Sequence, residues 1–371
     1  MMASLEDKHQ PEIGMEKQPT ELELPKHGGS VLPSVTVDSY NLELKDEDGF
    51  VGDKASQRAF SELLDKWRKV LSQLGEEAFG SKPSSEISKK DIAALLAKGD
   101  GLESAVVFSA IEEFAQQLTS VIRQFLRLKA WKDTECLVIG GGFSDSRIGE
   151  LAIGRSQLLL KSDDIDVALQ AIRHDPNEAG LLGAAHLVPG WMLKGHDGLI
   201  AIDIGGTNFR VGIIDLDHDA KPARAKIVQS DIWRHGDDKP TRDEAIERLC
   251  KMIKAEIAWA KVNKISLVPM IGIGCPGLID ESGSIVKGGQ NLPGNWESRK
   301  FSLPSSIKEK IPQIEGSETM VVMHNDAVVQ GLSQVAHVKN RTHWGVLTIG
   351  TGLGNARFTN RAPAKKLVKK V

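Results

Sequence analysis

The chain has 371 residues, of which 40% are hydrophobic, enough for about two domains with substantial cores and unlike a disordered, collagenous or membrane-spanning chain. Its 47 basic and 50 acidic residues leave a net charge of −3, and aromatics make up only 5%, so neither a global field nor a stacking platform favours nucleic acid. Its three cysteines are far apart and unpaired by spacing, which argues against a disulfide framework or a cysteine zinc site, whereas its 36 glycines, about a tenth of the chain, exceed the usual ~7%.

Residues 1–33 are polar, contain proline and have no period, so they read as a disordered leader. The N-terminus turns acidic at once and has no apolar signal-like run, which makes a cytoplasmic protein the expectation. Alternation over Val35–Leu44 predicts one strand ending at the Asp48-Gly49 turn. From Ser56 to about Leu128 the period is helical: Phe60, Leu63, Leu64, Trp67 and Leu71 form one stripe, and Ile111, Phe114, Leu118, Ile122 and Phe125 form another. Ser88 with Asp91 three residues later resembles a capping box for a helix around 92–98. Glu135–Ile139 is an apolar strand running into Gly140-Gly141-Gly142, and helical patterns follow to Ala185. Leu199–Ile204, Gly205-Gly206-Thr207-Asn208 and Phe209–Asp215 then read as a hairpin. Beyond it lie a helix over 241–262, strands at 270–275 and 319–324, a helix at 327–336, a strand at 344–349 with a return over 355–359, and a basic tail.

Three glycine loops therefore follow apolar strands, at 140–142, 205–208 and 350–354. Such loops let backbone N–H groups approach a phosphate, although each alone also fits a tight turn. The dinucleotide fingerprint needs a helix directly after the loop, and neither Gly205 nor Gly350 has one, which argues against a nicotinamide-dependent dehydrogenase. No glycine loop ends in Gly-Lys-Ser or Gly-Lys-Thr, so a Walker A loop is excluded as well.

Asp203-Ile204-Gly205-Gly206-Thr207-Asn208, Gly272-Ile273-Gly274-Cys275-Pro276-Gly277, Asn325-Asp326-Ala327 and Gly350-Thr351-Gly352-Leu353-Gly354 resemble, in order, the motifs of the ROK family of bacterial sugar kinases. The resemblance implies an α/β, two-lobed, ribonuclease-H-like fold of the actin-like ATPase type. In that family the Gly-Gly-Gly loop and a Gly-Ala-Ala helix follow these motifs. Here Leu137–Gly142 and Gly183-Ala184-Ala185 precede them, so the chain reads as circularly permuted. The expected organisation is a leader (1–33), a nucleotide-side lobe (34–188), a phosphate- and sugar-side lobe (189–340), and a return to the first lobe with a basic tail (341–371). The Val35–Leu44 strand is then expected to extend the sheet of Trp344–Thr359.

The resemblance implies transfer of the γ-phosphoryl of ATP to a hydroxyl of a hexose or related sugar, glucokinase-like, with Mg2+. That transfer needs in-line geometry, phosphate clamps and a carboxylate base. By position alone Asp326 serves equally as a helix N-cap or as a base; the family motif favours the base. Asp203 lies on an otherwise apolar strand, where an unpaired carboxylate costs several kcal/mol. By resemblance it orients Mg2+ through water, while Gly205, Gly206, Thr207 and Asn208 hold phosphates, Thr351 and Gly352 clamp them from the other lobe, and Gly140 and Gly141 lie near the adenosine. Asn325 and Asn291 are expected on the sugar, with Pro276 and Gly277 shaping the same wall. The family's Glu-x-Gly-His segment and the cysteine-rich zinc motif after it have no recognisable counterpart, so zinc is not expected. The partner expected is a small-molecule sugar, with neither nucleic acid nor membrane, and a homo-oligomer remains open. The alternative is a non-catalytic ROK-type sugar or nucleotide sensor or transcriptional regulator, although no basic recognition helix stands out before Asp48.

Overall fold

The computed structural model describes residues 25–98, 101–216 and 224–361. Ten strands build two five-stranded sheets: β1 (Val35–Tyr40), β2 (Cys136–Gly140), β3 (Ala168–Ala171), β4 (Gly198–Ile204), β5 (Phe209–Asp215), β6 (Lys226–Trp233), β7 (Leu267–Cys275), β8 (Met320–Asn325), β9 (His343–Ile349) and β10 (Leu353–Asn360). The second sheet runs β6-β5-β4-β7-β8. It is an antiparallel meander of three strands joined to two parallel ones. The first sheet runs β1-β10-β9-β2-β3 with the same orientations. Both are ribonuclease-H-like. In the second sheet the pattern follows the chain from β4 to β8, whereas in the first it starts at β9 and β10 and is completed by β1, β2 and β3.

Strands at the sheet centres are apolar because helices cover both faces. Every residue of β2 and of β4 is buried. β6, at an edge, carries Lys226 and Asp231 on exposed positions, which discourages further pairing. Helices α1 (Gln57–Ser72), α2 (Lys89–Lys98), α3 (Gly101–Leu126) and α4 (Arg147–Ser162) bury Phe60, Phe114, Phe125 and Leu160 against the outer face of the first sheet. α6 (Arg242–Val262), opened by the Thr241/Glu244 capping box, covers the outer face of the second. Between the sheets lie α5 (Pro176–Ala184), which follows β3, and α7 (Asp326–Leu332), which follows β8. None of the helices among the described residues is long and apolar enough to cross a membrane.

Several sequence expectations shift. The strand expected over 35–44 ends at Tyr40, because Asn41 adopts a left-handed conformation (φ 52°) and Leu42 then exchanges hydrogen bonds with the Asn355 side chain. The helix expected around 92–98 begins at Lys89, with the Asp91 N–H donating to Ser88 Oγ. β3 and β6 have no counterpart in the periodicity. Of the expected leader, residues 1–24 lie outside the described residues, as does the basic tail from 362. Residues 26–33 are already packed: Gly28 N donates to Met323 O, the Met323 N–H donates to His27 Nδ1, and Leu32 is buried. This segment lies along the outer edge of β8 and then enters β1, so it links the two sheets. His324, buried and neutral with a pKa near 4, accepts from Asn325 N at Nδ1 and therefore donates to Gly29 O from Nε2.

Across β1 and β10, Asp38 accepts from Arg357 and Thr359, and the Arg357 guanidinium is buried. Asp38→Ala leaves that cation short of its carboxylate, at an expected cost of about 2 kcal/mol. A urea midpoint unchanged from the wild type would show that β1 contributes nothing through this pair.

Candidate active site

β4 delivers Asp203 to the carboxyl end of the second sheet, and the loop after it closes with Gly205 N donating to Asn208 O at 2.8 Å. The loop is braced from outside: His235 Nε2 contacts Gly205 O at 2.9 Å, and Gly236 N donates to Thr207 O at 3.2 Å. His235 itself is buried against Phe209, with ring centroids 4.6 Å apart. Across the cleft the β9–β10 turn, closed by Gly350 N donating to Gly352 O, brings Thr351 Oγ1 to 3.5 Å from Thr207 Oγ1. The two predicted phosphate clamps therefore meet. Gly352 lies in the same turn and is open to solvent.

Gly140 and Gly141 end β2. Gly141 needs its positive φ of 78°, and a Cβ there would lie 2.4 Å from Ile349 O, so this loop is wedged against the end of β9. Gln330 of α7 accepts from Gly141 N at 3.1 Å and ties the loop to the helix that begins at Asp326.

Asn325 and Asp326 are both at the start of α7, and the N-cap reading of Asp326 is corrected, because the cap falls on Asn325. Asn325 is the N-cap: its Oδ1 accepts from Ala327 and Val328, and its Nδ2 donates to Gly277 O at 3.0 Å. Its hydrogen-bonding capacity thus goes into fixing the Pro276-Gly277 turn relative to α7. Asp326 is the first helical residue and is half-buried at the mouth. Loss of water around it, reinforced by the like charge of Asp203, pushes its pKa up to about 7. Burial also raises Asp203, against the pull of Arg210, and the two carboxylates help to push the buried Cys275 thiol well above its ordinary value.

Asn291 lies beside the 205–208 loop, since a Cβ on Gly206 would sit 3.1 Å from Asn291 Cβ. Its loop is held by Trp296, which is buried and donates from Nε1 to Pro293 O at 2.7 Å. Gly206, His235, Lys239 and Asn291 line part of a cavity of about 350 Å³.

Four residues escaped the sequence reading. Arg210 donates to Asp203 Oδ2 at 3.2 Å and to Asn177 Oδ1 at 2.7 Å. Gly180 of α5 abuts Asp203 so closely that a Cβ would lie 2.5 Å from its carboxyl carbon. Gln330 and His235 act through the loops they brace. A signal existed for Arg210: a four-residue loop over 205–208 places positions 203 and 210 opposite each other, the register observed.

The model of the ROK family matches residues 199–365. That match covers less than half of the chain. The glucokinase of Thermotoga maritima is 26% identical to the chain over 162 residues, 44% of either protein, so the chain spans less than half the length of this curated relative. Among solved structures, a presumed sugar kinase of Cytophaga hutchinsonii is 20% identical with a TM-score of 0.34, covering 46% of this chain and 52% of that one. The ROK hexokinase of Thermus thermophilus is 19% identical with a TM-score of 0.30, covering 43% and 45%. The matched residues include Asp203, the 205–208 loop, Asn291, Asp326 and Thr351; Gly140, Gly141 and Gly180 lie outside them.

Proposed function

We propose that the protein is an ATP-dependent kinase of a hexose or related sugar, and that Asp326 is its general base. The observation carrying this reading is the position of Asp326. Its carboxylate, with a pKa near 7, stands beside Asp203 at the end of a cleft whose two lips are glycine-threonine turns. A base poised near neutrality accepts a hydroxyl proton while remaining largely ionised at working pH. The turns supply N–H and hydroxyl donors for a polyphosphate, with Gly140 and Gly141 on the adenosine side. Asn291 and the Pro276-Gly277 wall, held by Asn325, face the sugar.

Asp203 fits Mg2+: it is a hard oxygen donor, largely buried, and Arg210 occupies only its Oδ2, leaving Oδ1 for a metal-bound water. Bound Mg2+ would neutralise charge on the transferred phosphoryl group. Asp326 removes the proton from the attacking hydroxyl, Thr207 and Thr351 fix the phosphates from opposite lobes, and closure of the lobes keeps out competing water.

We further infer that the chain is a circular permutant of the ROK arrangement. What supports this is the shared strand pattern of the two sheets, with the first assembled from both ends of the described chain.

The test is a coupled assay of ADP release over a panel of hexoses, amino sugars and sugar acids, followed across pH with the best acceptor. An acid must be ionised to act as base, so kcat/KM is expected to fall with unit slope below about pH 7. A profile flat from pH 8 to pH 5 would reject Asp326 as the base.

A further inference from the structure

Asp203 and Arg210 are cross-strand partners at the root of the phosphate-loop hairpin, and among the described residues Arg210 is the cation paired with Asp203. The guanidinium bridges two elements, Asp203 on β4 and Asn177 at the start of α5, using two of its five N–H donors. Its Nε is buried without a partner. The three glycine loops offer backbone dipoles but no cationic side chain of their own. A polyphosphate brings several negative charges to this place, and Arg210 is the fork-shaped donor stationed there. It also holds the carboxylate that the proposed metal needs.

We propose that Arg210 is a phosphate-binding residue of the nucleotide site: its guanidinium, which donates to Asp203 Oδ2, transfers to terminal phosphate oxygens and leaves both oxygens of Asp203 to water on Mg2+. This rests on the kinase reading above. Arginine and metal then share one task, neutralising phosphate charge, so the arginine contributes most when metal is absent.

Calorimetric titration of the full chain with ADP, in EDTA and in Mg2+, tests this. Arg210→Met is expected to weaken metal-free ADP binding about tenfold or more, and the loss in Mg2+ to be at least about threefold smaller. Arg210→Lys keeps a charge but not the fork, so it should weaken metal-free ADP binding about threefold and leave Mg-ADP binding unchanged; it carries the test if Arg210→Met does not fold. Equal losses in both buffers mean a purely structural latch and overturn the proposal, as does metal-free binding that neither variant weakens. Wild-type protein that binds ADP only with Mg2+ also overturns it, leaving the kinase reading intact. Wild-type protein that binds no ADP in either buffer overturns the kinase reading and this proposal with it.

Discussion

Asp326→Asn is expected to lower kcat for sugar phosphorylation about 10³-fold. Mg-ATP affinity should stay within about threefold, because the interaction removed is one made with the reacting hydroxyl in the transition state. Asparagine preserves the shape and the oxygen that accepts from Ala327 N at 2.9 Å, so α7 should start as before. The same variant should be more stable than the wild type above pH 7. Burial and Asp203 raise the folded-state pKa of Asp326 to about 7, so ionisation between its unfolded value and that pH costs folding free energy, and a neutral side chain avoids the cost. Lost activity with unchanged nucleotide affinity and gained alkaline stability is the combination expected of a catalytic base with a raised pKa. Comparable turnover by Asp326→Asn would reject the assignment.

Gly183→Ala is expected to cost about 3 kcal/mol and to lower activity with it. α5 and α7 cross at Gly183, where an added Cβ would fall 1.7 Å from Val329 O, so a methyl group forces the helices apart. Few surroundings could give, since both sheets press on this pair through Val328, Leu332, Leu181 and Ala184. Because α7 begins at Asp326 and α5 carries Gly180 against Asp203, separation also moves the two carboxylates relative to the 205–208 and 350–354 loops. Denaturation in urea measures the first effect and kcat the second. An alanine variant of wild-type stability would show that the crossing is looser than described.

The Gly205–Asn208 hairpin was legible because a period of two breaks at glycines and resumes at once, and the return after Gly350 was legible for the same reason. The pairing of β1 with β10 was expected only through the family order of motifs, since nothing local in Val35–Tyr40 names its partner. β3 is four residues long and half-buried, and β6 is an exposed edge strand, so neither has the apolar run or full alternation that marks a strand. Asp203 and Asp326 stood out as carboxylates at the ends of apolar runs. Their mutual influence depends on β7 lying between β4 and β8, so that Asp203 and the residue after Asn325 come to one end of the sheet, a pairing that neither apolar run names. Asn325, expected on the sugar, spends most of its donors and acceptors on the cap and on Gly277, a division of labour that only three-dimensional contacts reveal.

In the proposed reaction this cleft moves a phosphoryl group from ATP to a sugar. Its most direct measurement is transfer of label from the γ-phosphate of ATP, incubated with the full chain, Mg2+ and each hexose of a panel, with the sugar product resolved from inorganic phosphate. Labelled sugar phosphate from the wild type, and about 10³-fold less from Asp326→Asn, is the predicted result. Label that appears only in inorganic phosphate, or remains in ATP with every sugar although ATP and sugar both bind, would contradict the account and leave a nucleotide- and sugar-binding sensor in its place.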